Sequence, residues 1–378
     1  MTSRSNVKRH SIVIVGAFPP PENNIFGGIV RDCQTILNSS FAKKFNLDLV
    51  DSTQISNPPP GVFVRAMLAV PRLFRYFYKV TVSRPDAVII FASGFSSVME
   101  KGTMGWIARI QSIPVLLLPR HGKIIDTARE SRLKGLVIRG SMKSASKFLC
   151  QGTGWQDFAI NDLGYLEKDA PVVPNWTATT ELLTIGRERD YTLDRKANRL
   201  LFVGWLEREK GVMELLEACR NLMNNGHDFN LTIAGRGHAE AKAREFVEAY
   251  GLQCFVSFAG WVEDAEIQKL YKDADIFVLP SWWEGLPNAM IEAMAAGLAV
   301  IVTPVGNIPN YVTHEKQALM IEPRKASDIA NSIERLLCED KTRVSIAKCG
   351  QRLAEERFAV EPGMECLIRV VKEAIRRP

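Results

Sequence analysis

Glu284 and Glu292 are the residues whose type and spacing point most directly to chemistry. Seven residues separate them in Ser281-Trp-Trp-Glu-Gly-Leu-Pro-Asn-Ala-Met-Ile-Glu-Ala-Met-Ala-Ala-Gly297. Two carboxylates are good acceptors for the paired hydroxyls of a sugar. The preceding run, Ala274-Asp-Ile-Phe-Val-Leu-Pro280, reads as a buried strand that ends at a proline. Pro287 suits the first turn of a helix, where its missing N–H is not needed, and Gly297 is placed to stop that helix. Glu284 then lies in the loop at the strand's carboxyl end, and Glu292 inside the helix. The first-turn N–H groups between them favour a phosphate. Solvated glutamates on an amphipathic helix would show the same spacing. The small-residue stretch Ala293-Met-Ala-Ala-Gly297 and a second apolar strand at Ala299–Val302 argue instead for a buried βαβ unit, whose strand ends are where open sheets bind ligands.

Other residues could join them. Lys210-Gly211 precedes an amphipathic helix from Val212 to Leu222, and a lysine at that junction can stabilise charge on a leaving diphosphate. Gly27-Gly28 lies after the first strand, behind the stiff run Pro19-Pro20-Pro21, and lets a backbone approach a ligand closely. His121 directly follows the apolar run that ends at Arg120, and Arg120 and Lys123 flank it as candidate cations for acceptor or phosphate. Gly235-Arg-Gly237 looks like the start of a dinucleotide fingerprint, but the first strand is followed by Gly16-Ala-Phe-Pro-Pro-Pro, which does not match one.

Positioning these groups calls for two parallel sheets. Strand-like runs fall at Ile12–Val15, Leu47–Val50, Asp86–Phe91, Pro114–Leu118 and Lys147–Cys150. They recur at Arg199–Val203, Asn230–Ala234, Cys254–Phe258, Asp275–Leu279 and Ala299–Val302, with helical patterns between them. A boundary is expected near Val172-Val-Pro-Asn-Trp176. The expected division is therefore 1–177, 178–357 and a last helix over 358–378. At 378 residues there is chain enough for two cores. The seven scattered cysteines show no C-x-x-C pair, which fits a reduced, cytoplasmic setting better than a disulfide scaffold or zinc site. The amino terminus lacks the apolar run of a signal peptide, and no stretch reaches transmembrane length.

Charge is uneven. Residues 1–178 hold 22 lysines and arginines against 12 acids, and residues 179–378 hold 26 against 30. Within Val62–Lys79 a helical wheel places Arg65, Arg72, Arg75 and Lys79 on one face, and Phe63, Met67, Val70, Phe74 and Phe77 largely opposite. A break or kink is expected at Pro71. Such a helix suits a membrane surface, at the inner face of the membrane, although a core helix with a solvated basic face has the same pattern. No nucleic-acid motif accompanies the charge, so nucleic acid is not an expected partner.

In order and spacing these pieces resemble the retaining GT-B glycosyltransferases of family four, with their E-x7-E signature. The likeness is strongest over roughly residues 198–357. Leu201-Phe-Val-Gly-Trp-Leu-Glu-Arg-Glu-Lys-Gly211, Leu231-Thr-Ile-Ala-Gly-Arg-Gly237, Phe258-Ala-Gly-Trp-Val262 and Thr303-Pro-Val-Gly-Asn307 each resemble a family segment. The resemblance implies an α/β GT-B fold, with two Rossmann-like domains facing each other across a cleft and a last helix, Glu361–Arg377, crossing back to the first. It implies that Glu292 accepts from ribose hydroxyls, Glu284 contacts the donor sugar, and the amides of Gly285 and Leu286 face sugar or phosphate. Lys210 would hold the diphosphate, Trp261 would border the base, Gly235 would lie in the donor-side glycine turn, Gly27 and Gly28 would close over the donor, and His121 would lie close to the transferred sugar. One residue departs from the pattern: Trp205 stands where the family has arginine, so Arg208 becomes the candidate second cation.

The expected activity is transfer of a sugar from a nucleotide-diphosphate sugar to a glycan or lipid-linked acceptor, in cell-surface polysaccharide or glycolipid biosynthesis. Retention and independence of metal or other cofactors are expected with it. Two alternatives stay open: a nucleotide-sugar epimerase on the same fold, and a non-catalytic sugar-nucleotide-binding protein.

Overall fold

The structure, a computed structural model, describes residues 9–19, 27–53, 61–191 and 196–376. Pro20 and Pro21 of the proline run, and Arg377 of the expected last helix, lie outside the described residues. The chain divides into two compact units. One comprises Met1–Trp176 and Val360–Pro378, and the other Thr177–Ala359.

The first unit runs β1 (Ser11–Gly16), α1 (Gly28–Asn38), α2 (Ser40–Lys44), β2 (Asn46–Asp51), α3 (Val62–Ser83), β3 (Ala87–Ala92), α4 (Phe95–Ile110), β4 (Val115–Pro119), α5 (Lys123–Glu130), α6 (Arg132–Met142), β5 (Lys147–Phe148) and α7 (Thr153–Asp157). The second runs α8 (Thr180–Arg187), β6 (Arg199–Val203), α9 (Val212–Asn224), β7 (Asn230–Ala234), α10 (Glu240–Ala249), β8 (Val256–Gly260), α11 (Asp264–Asp273), β9 (Ile276–Leu279), α12 (Asn288–Ala295), β10 (Ala299–Val302), β11 (Leu319–Met320), α13 (Ala326–Cys338) and α14 (Asp340–Phe358). The last helix, α15 (Val360–Ile375), belongs to the first unit.

Both sheets are parallel, in the orders β2-β1-β3-β4-β5 and β11-β10-β9-β6-β7-β8. The strands β1, β3, β4, β9 and β10 are continuous buried apolar runs because helices cover both faces. In the first sheet, Val13, Val15, Val88, Ile90, Val115 and Leu117 pack under α3, α4 and α6. Ile12, Ile14, Ala87, Ile89, Leu116 and Leu118 pack on the other face with α1, α2 and α15. Polar N-caps start several helices: Ser39, Ser131 and Thr179 accept backbone N–H bonds at the heads of α2, α6 and α8.

All ten strand-like runs of the sequence form strands, and β11 is an addition two residues long. Pro71 does not end α3; it lies exposed inside a continuous helix, where the carbonyl it leaves without an N–H partner can meet water. In the second sheet the chain moves from β6 outward through β7 and β8, then returns to β9 on the other side of β6. That reversal makes β6/β9 the topological switch point, where open parallel sheets leave a crevice beyond the strands' carboxyl ends.

Candidate functional site

The loops that leave β6 and β9 meet at this point. The β6 loop closes with a short 3-10 turn, Arg208–Lys210, and then Gly211 with φ +72°. A Cβ on Gly211 would lie 2.2 Å from the Pro280 carbonyl oxygen, so glycine is required both for the turn and for the approach of the two loops. The Trp282 N–H donates to the Glu209 carbonyl across the same junction, at 2.7 Å.

This contact aligns Lys210 with Glu284. Lys210 Nζ donates to Glu284 Oε1 at 2.6 Å, and Ser281 Oγ donates to the same oxygen at 2.7 Å. Side-chain exposure is 9% for Glu284 and 26% for Lys210, so the pair is largely withdrawn from water but open on the lysine side. Behind it, Thr303 Oγ1 donates to the Ser281 carbonyl, and the Asn307 N–H to the Gly285 carbonyl at 2.7 Å. Gly306, at φ +61°, passes so close that a Cβ would lie 2.2 Å from the Glu284 carbonyl. The loop carrying Glu284, Gly285 and Leu286 is thus braced by the loop after β10.

Pro287 is the N-cap of α12, one residue before the helical position expected. Glu292 lies in α12 and is buried; Tyr271 of α11 donates its hydroxyl to Glu292 Oε2 at 2.9 Å. Gly235, at φ +143°, donates its N–H to Gly260 at 2.7 Å, and a Cβ there would fall 1.8 Å from the Gly204 carbonyl. Its first duty is therefore close packing of the loops after β6, β7 and β8. The same packing sets Trp261 beside Trp205, ring centroids 5.6 Å apart and tilted by 39°. Arg208 is exposed, with its guanidinium 5.1 Å from the Trp282 ring centroid, and Arg324 stacks on the same ring at 4.2 Å.

The remaining candidates lie in the first unit. Gly27 is the N-cap of α1, extended and with open space around its Cα, and Gly28 is the first helical residue. His121 is exposed between β4 and α5. The two places are tied together by Arg120, whose Nε lies 2.9 Å from Asp32 of α1. Here the structure corrects an expectation. The Arg120 side chain is 3% exposed, donates to Asn175 at 2.9 Å and lies 4.9 Å from the Trp176 ring, so its charge is spent inside the unit rather than on acceptor or phosphate.

Sequence reasoning missed Ser281, Tyr271 and Arg324. Only Ser281 left a signal, as a hydroxyl three residues before Glu284. Arg324 sits in the left-handed region at φ +66°, which no local pattern announces. Among the described residues, no group of three or more His, Cys, Asp or Glu side chains is placed to share a metal ion.

Residues 187–353, which contain every element of this junction, match the family model of the glycosyl transferases group 1. Over this segment, rather less than half of the chain, the sequence is similar to the glycosyl transferases group 1. Similar proteins include an uncharacterised glycosyltransferase of Methanocaldococcus jannaschii, 30% identical over 47% of this chain and 45% of that one. The amylovoran biosynthesis glycosyltransferase AmsK of Erwinia amylovora is 31% identical over 42% of this chain and 41% of its own length. The chain thus spans less than half the length of these relatives. Among solved structures, sucrose-phosphate synthase from Thermosynechococcus elongatus superposes with a TM-score of 0.77, covering 98% of this chain and 100% of that one at 17% identity. HepE of Anabaena, solved in complex with UDP and glucose, gives 0.70 over 97% and 100% at 17% identity. At such identities the likeness is one of fold, and the fold is GT-B, with a Rossmann-like sheet in each unit.

Proposed function

We propose that the protein transfers a sugar from a nucleoside diphosphate sugar to a glycan or lipid-linked acceptor. The observation that carries this is the Lys210–Glu284 pair at the β6/β9 switch point of a segment similar to the glycosyl transferases group 1. In this reading Lys210 takes the charge that develops on a leaving diphosphate. Glu284, held by Ser281, offers a carboxylate to sugar hydroxyls. Glu292, in a buried hydrogen bond with Tyr271, is the residue for the ribose hydroxyls, and Trp261 with Trp205 for the base. Gly285, Leu286, Gly235 and Arg208 complete the donor side of this reading, and for Gly27, Gly28 and His121 of the first unit it takes the roles that the family resemblance implies. The solved complexes of HepE with UDP-glucose support a uridine nucleotide donor by fold likeness. The Escherichia coli UDP-Gal:alpha-D-GlcNAc-diphosphoundecaprenol alpha-1,3-galactosyltransferase, 24% identical over 67% of this chain, supports a lipid-linked acceptor.

In the reaction, the bond from the anomeric carbon to the diphosphate oxygen breaks as the acceptor oxygen attacks from the same face. The acceptor proton passes to the leaving phosphate, and configuration is retained. Lys210 and the amino end of α12 supply the countercharge, so the reading includes no metal requirement. The basic first unit suits an acceptor carried at a membrane surface.

The test is thermal unfolding with UDP, GDP, ADP and CMP and their sugars in EDTA, for wild type and Glu292→Ala. At about a hundred times its dissociation constant a ligand stabilises by roughly 2.7 kcal/mol. One nucleotide series is expected to raise the wild-type midpoint and not that of the variant. No shift with any nucleotide would overturn the proposal.

A further inference from the structure

We propose that the outer faces of α3, α4 and α6 form a single docking surface for an anionic phospholipid bilayer. The inference deepens the membrane-surface part of the function proposed above and stands on different residues from the sugar-nucleotide site.

Of the two orientations that the helical wheel of α3 leaves open, the structure takes the one with the apolar side outward. Arg65, Arg72 and Lys79 turn towards the protein. Arg65 donates to Ser96 at 3.0 Å, Arg72 to Glu100 at 2.8 Å, and Lys79 to the Leu49 carbonyl at 3.0 Å as well as to Asp48. The apolar side faces solvent instead: Phe63 is 76% exposed, Phe74 71% and Met67 62%, with Val70, Phe77 and Tyr78 also exposed. Isolated exposed apolar residues need no explanation, but a continuous row along a 22-residue helix does.

The row does not stop at α3. That helix is fastened to α4 by the Arg65 and Arg72 bonds, and α4 lies tightly against α6. A Cβ on Gly102 would fall 2.3 Å from Ser141, and the Trp106 indole N–H donates to the Gly140 carbonyl at 3.0 Å. All three helices cover the same face of one sheet, so their solvent sides adjoin. On those sides α4 exposes Met99, Trp106 and Ile110, and α6 exposes Leu133 and Leu136.

Charge decides the occupant. The α3 sequence contains no acid, and Arg75 is exposed among its phenylalanines. Lys134 and Lys143 are exposed on and just beyond α6. Beside them a cleft of about 720 Å³ is lined by Trp106, Arg109, Lys143 and Leu166 among others. Arg109 is fixed at that cleft by bonds to the neutral carbonyls of Lys143 and Ala145, at 3.0 and 3.2 Å. Apolar side chains inserted between exposed cations match an interface of acyl chains below anionic headgroups. No helix among the described residues is long and apolar enough to cross a membrane, so the contact is one of surface docking.

The test is co-sedimentation with vesicles of phosphatidylcholine alone and of phosphatidylcholine with one third phosphatidylglycerol, without donor or acceptor. The full chain is compared with F63S/F74S/F77S and with R75Q/K134Q/K143Q, all at exposed positions. Wild type should pellet with the anionic vesicles. The apolar variant should lose roughly a hundredfold or more in partitioning. The charge variant should lose roughly fivefold per cation, and less in high salt. Equal unfolding midpoints would show that both variants keep the fold. Failure of wild type to pellet, or pelleting unaffected by F63S/F74S/F77S, would overturn the proposal. So would a concentration-dependent dimer abolished by the same substitutions, which would assign the face to a second copy. None of these outcomes bears on nucleotide binding, which the thermal-shift test reads separately.

Discussion

If Lys210 and Glu284 act as one unit, removing both should cost less than the sum of removing each. In Lys210→Ala, Glu284 keeps Ser281 but loses its countercharge while only 9% exposed. A buried charged acceptor left short of a partner costs about 1–3 kcal/mol. The 26% exposure of Lys210 places the cost below the 3–5 kcal/mol of a fully buried broken pair. Glu284→Ala leaves a lysine that can turn to water, so its cost is smaller, about 1 kcal/mol. In the double variant no charge is stranded. It should be no less stable than Lys210→Ala, giving a coupling of roughly 1–2 kcal/mol. For a unit of this size, each 1 kcal/mol moves the midpoint by about 2–4 °C. Urea and thermal unfolding of all four proteins without ligand measure the coupling directly. Repetition in high salt should shrink it, because the lysine end is open to solvent. Additive losses, agreeing within about 0.5 kcal/mol, would refute the reasoning. They would mean that the two side chains are independent and that their 2.6 Å contact carries no energy.

Two further outcomes follow from the same structure. Gly211→Ala should lower stability by at least about 2 kcal/mol and weaken nucleotide binding with it, because the new methyl meets the Pro280 carbonyl from a left-handed backbone; paired midpoints and titrations check this. With a thiol reagent in mildly alkaline buffer, exposed Cys254 and Cys338 should label in the native state, while Cys33 and Cys150 should not until the chain unfolds. Burial pushes both of these thiols up from the ordinary 9.0 to about 12. A raised acid favours the folded state below its unfolded value, so this contribution is present near neutrality. It is lost as pH rises from about 9 to about 12. Mass spectrometry of the labelled peptides reads the result.

The strands β1, β3, β4, β9 and β10 were legible because both of their faces are covered, which turns each into an unbroken apolar run. β11 was not, since two residues carry no period. Glu284, Glu292 and Lys210 could be picked out because loop-to-helix junctions leave local marks of glycine and proline. Partners distant in sequence could not. Nothing near Arg120 shows that Asp32 and Asn175 consume its charge, and nothing in α12 shows that Tyr271 caps Glu292. The helix α3 shows a further limit. Its two faces were separable on a wheel, but which one turned inward depended on Asp48, Ser96 and Glu100, which lie on other elements.

The placement of α15 bears on how the chain acquires its structure during synthesis. Its Met364, Leu367, Ile368 and Val371 cover the sheet face formed by Ile12, Ile14, Ile89 and Leu116. Those strands leave the ribosome early, whereas their cover follows the whole of Thr177–Ala359. The second unit is contiguous and can close on itself as it emerges. The first must wait with an apolar surface open until the second has been made. Truncation within α15 would therefore expose strands made before the second unit, and a nascent first unit is the stage at which aggregation or chaperone capture should concentrate.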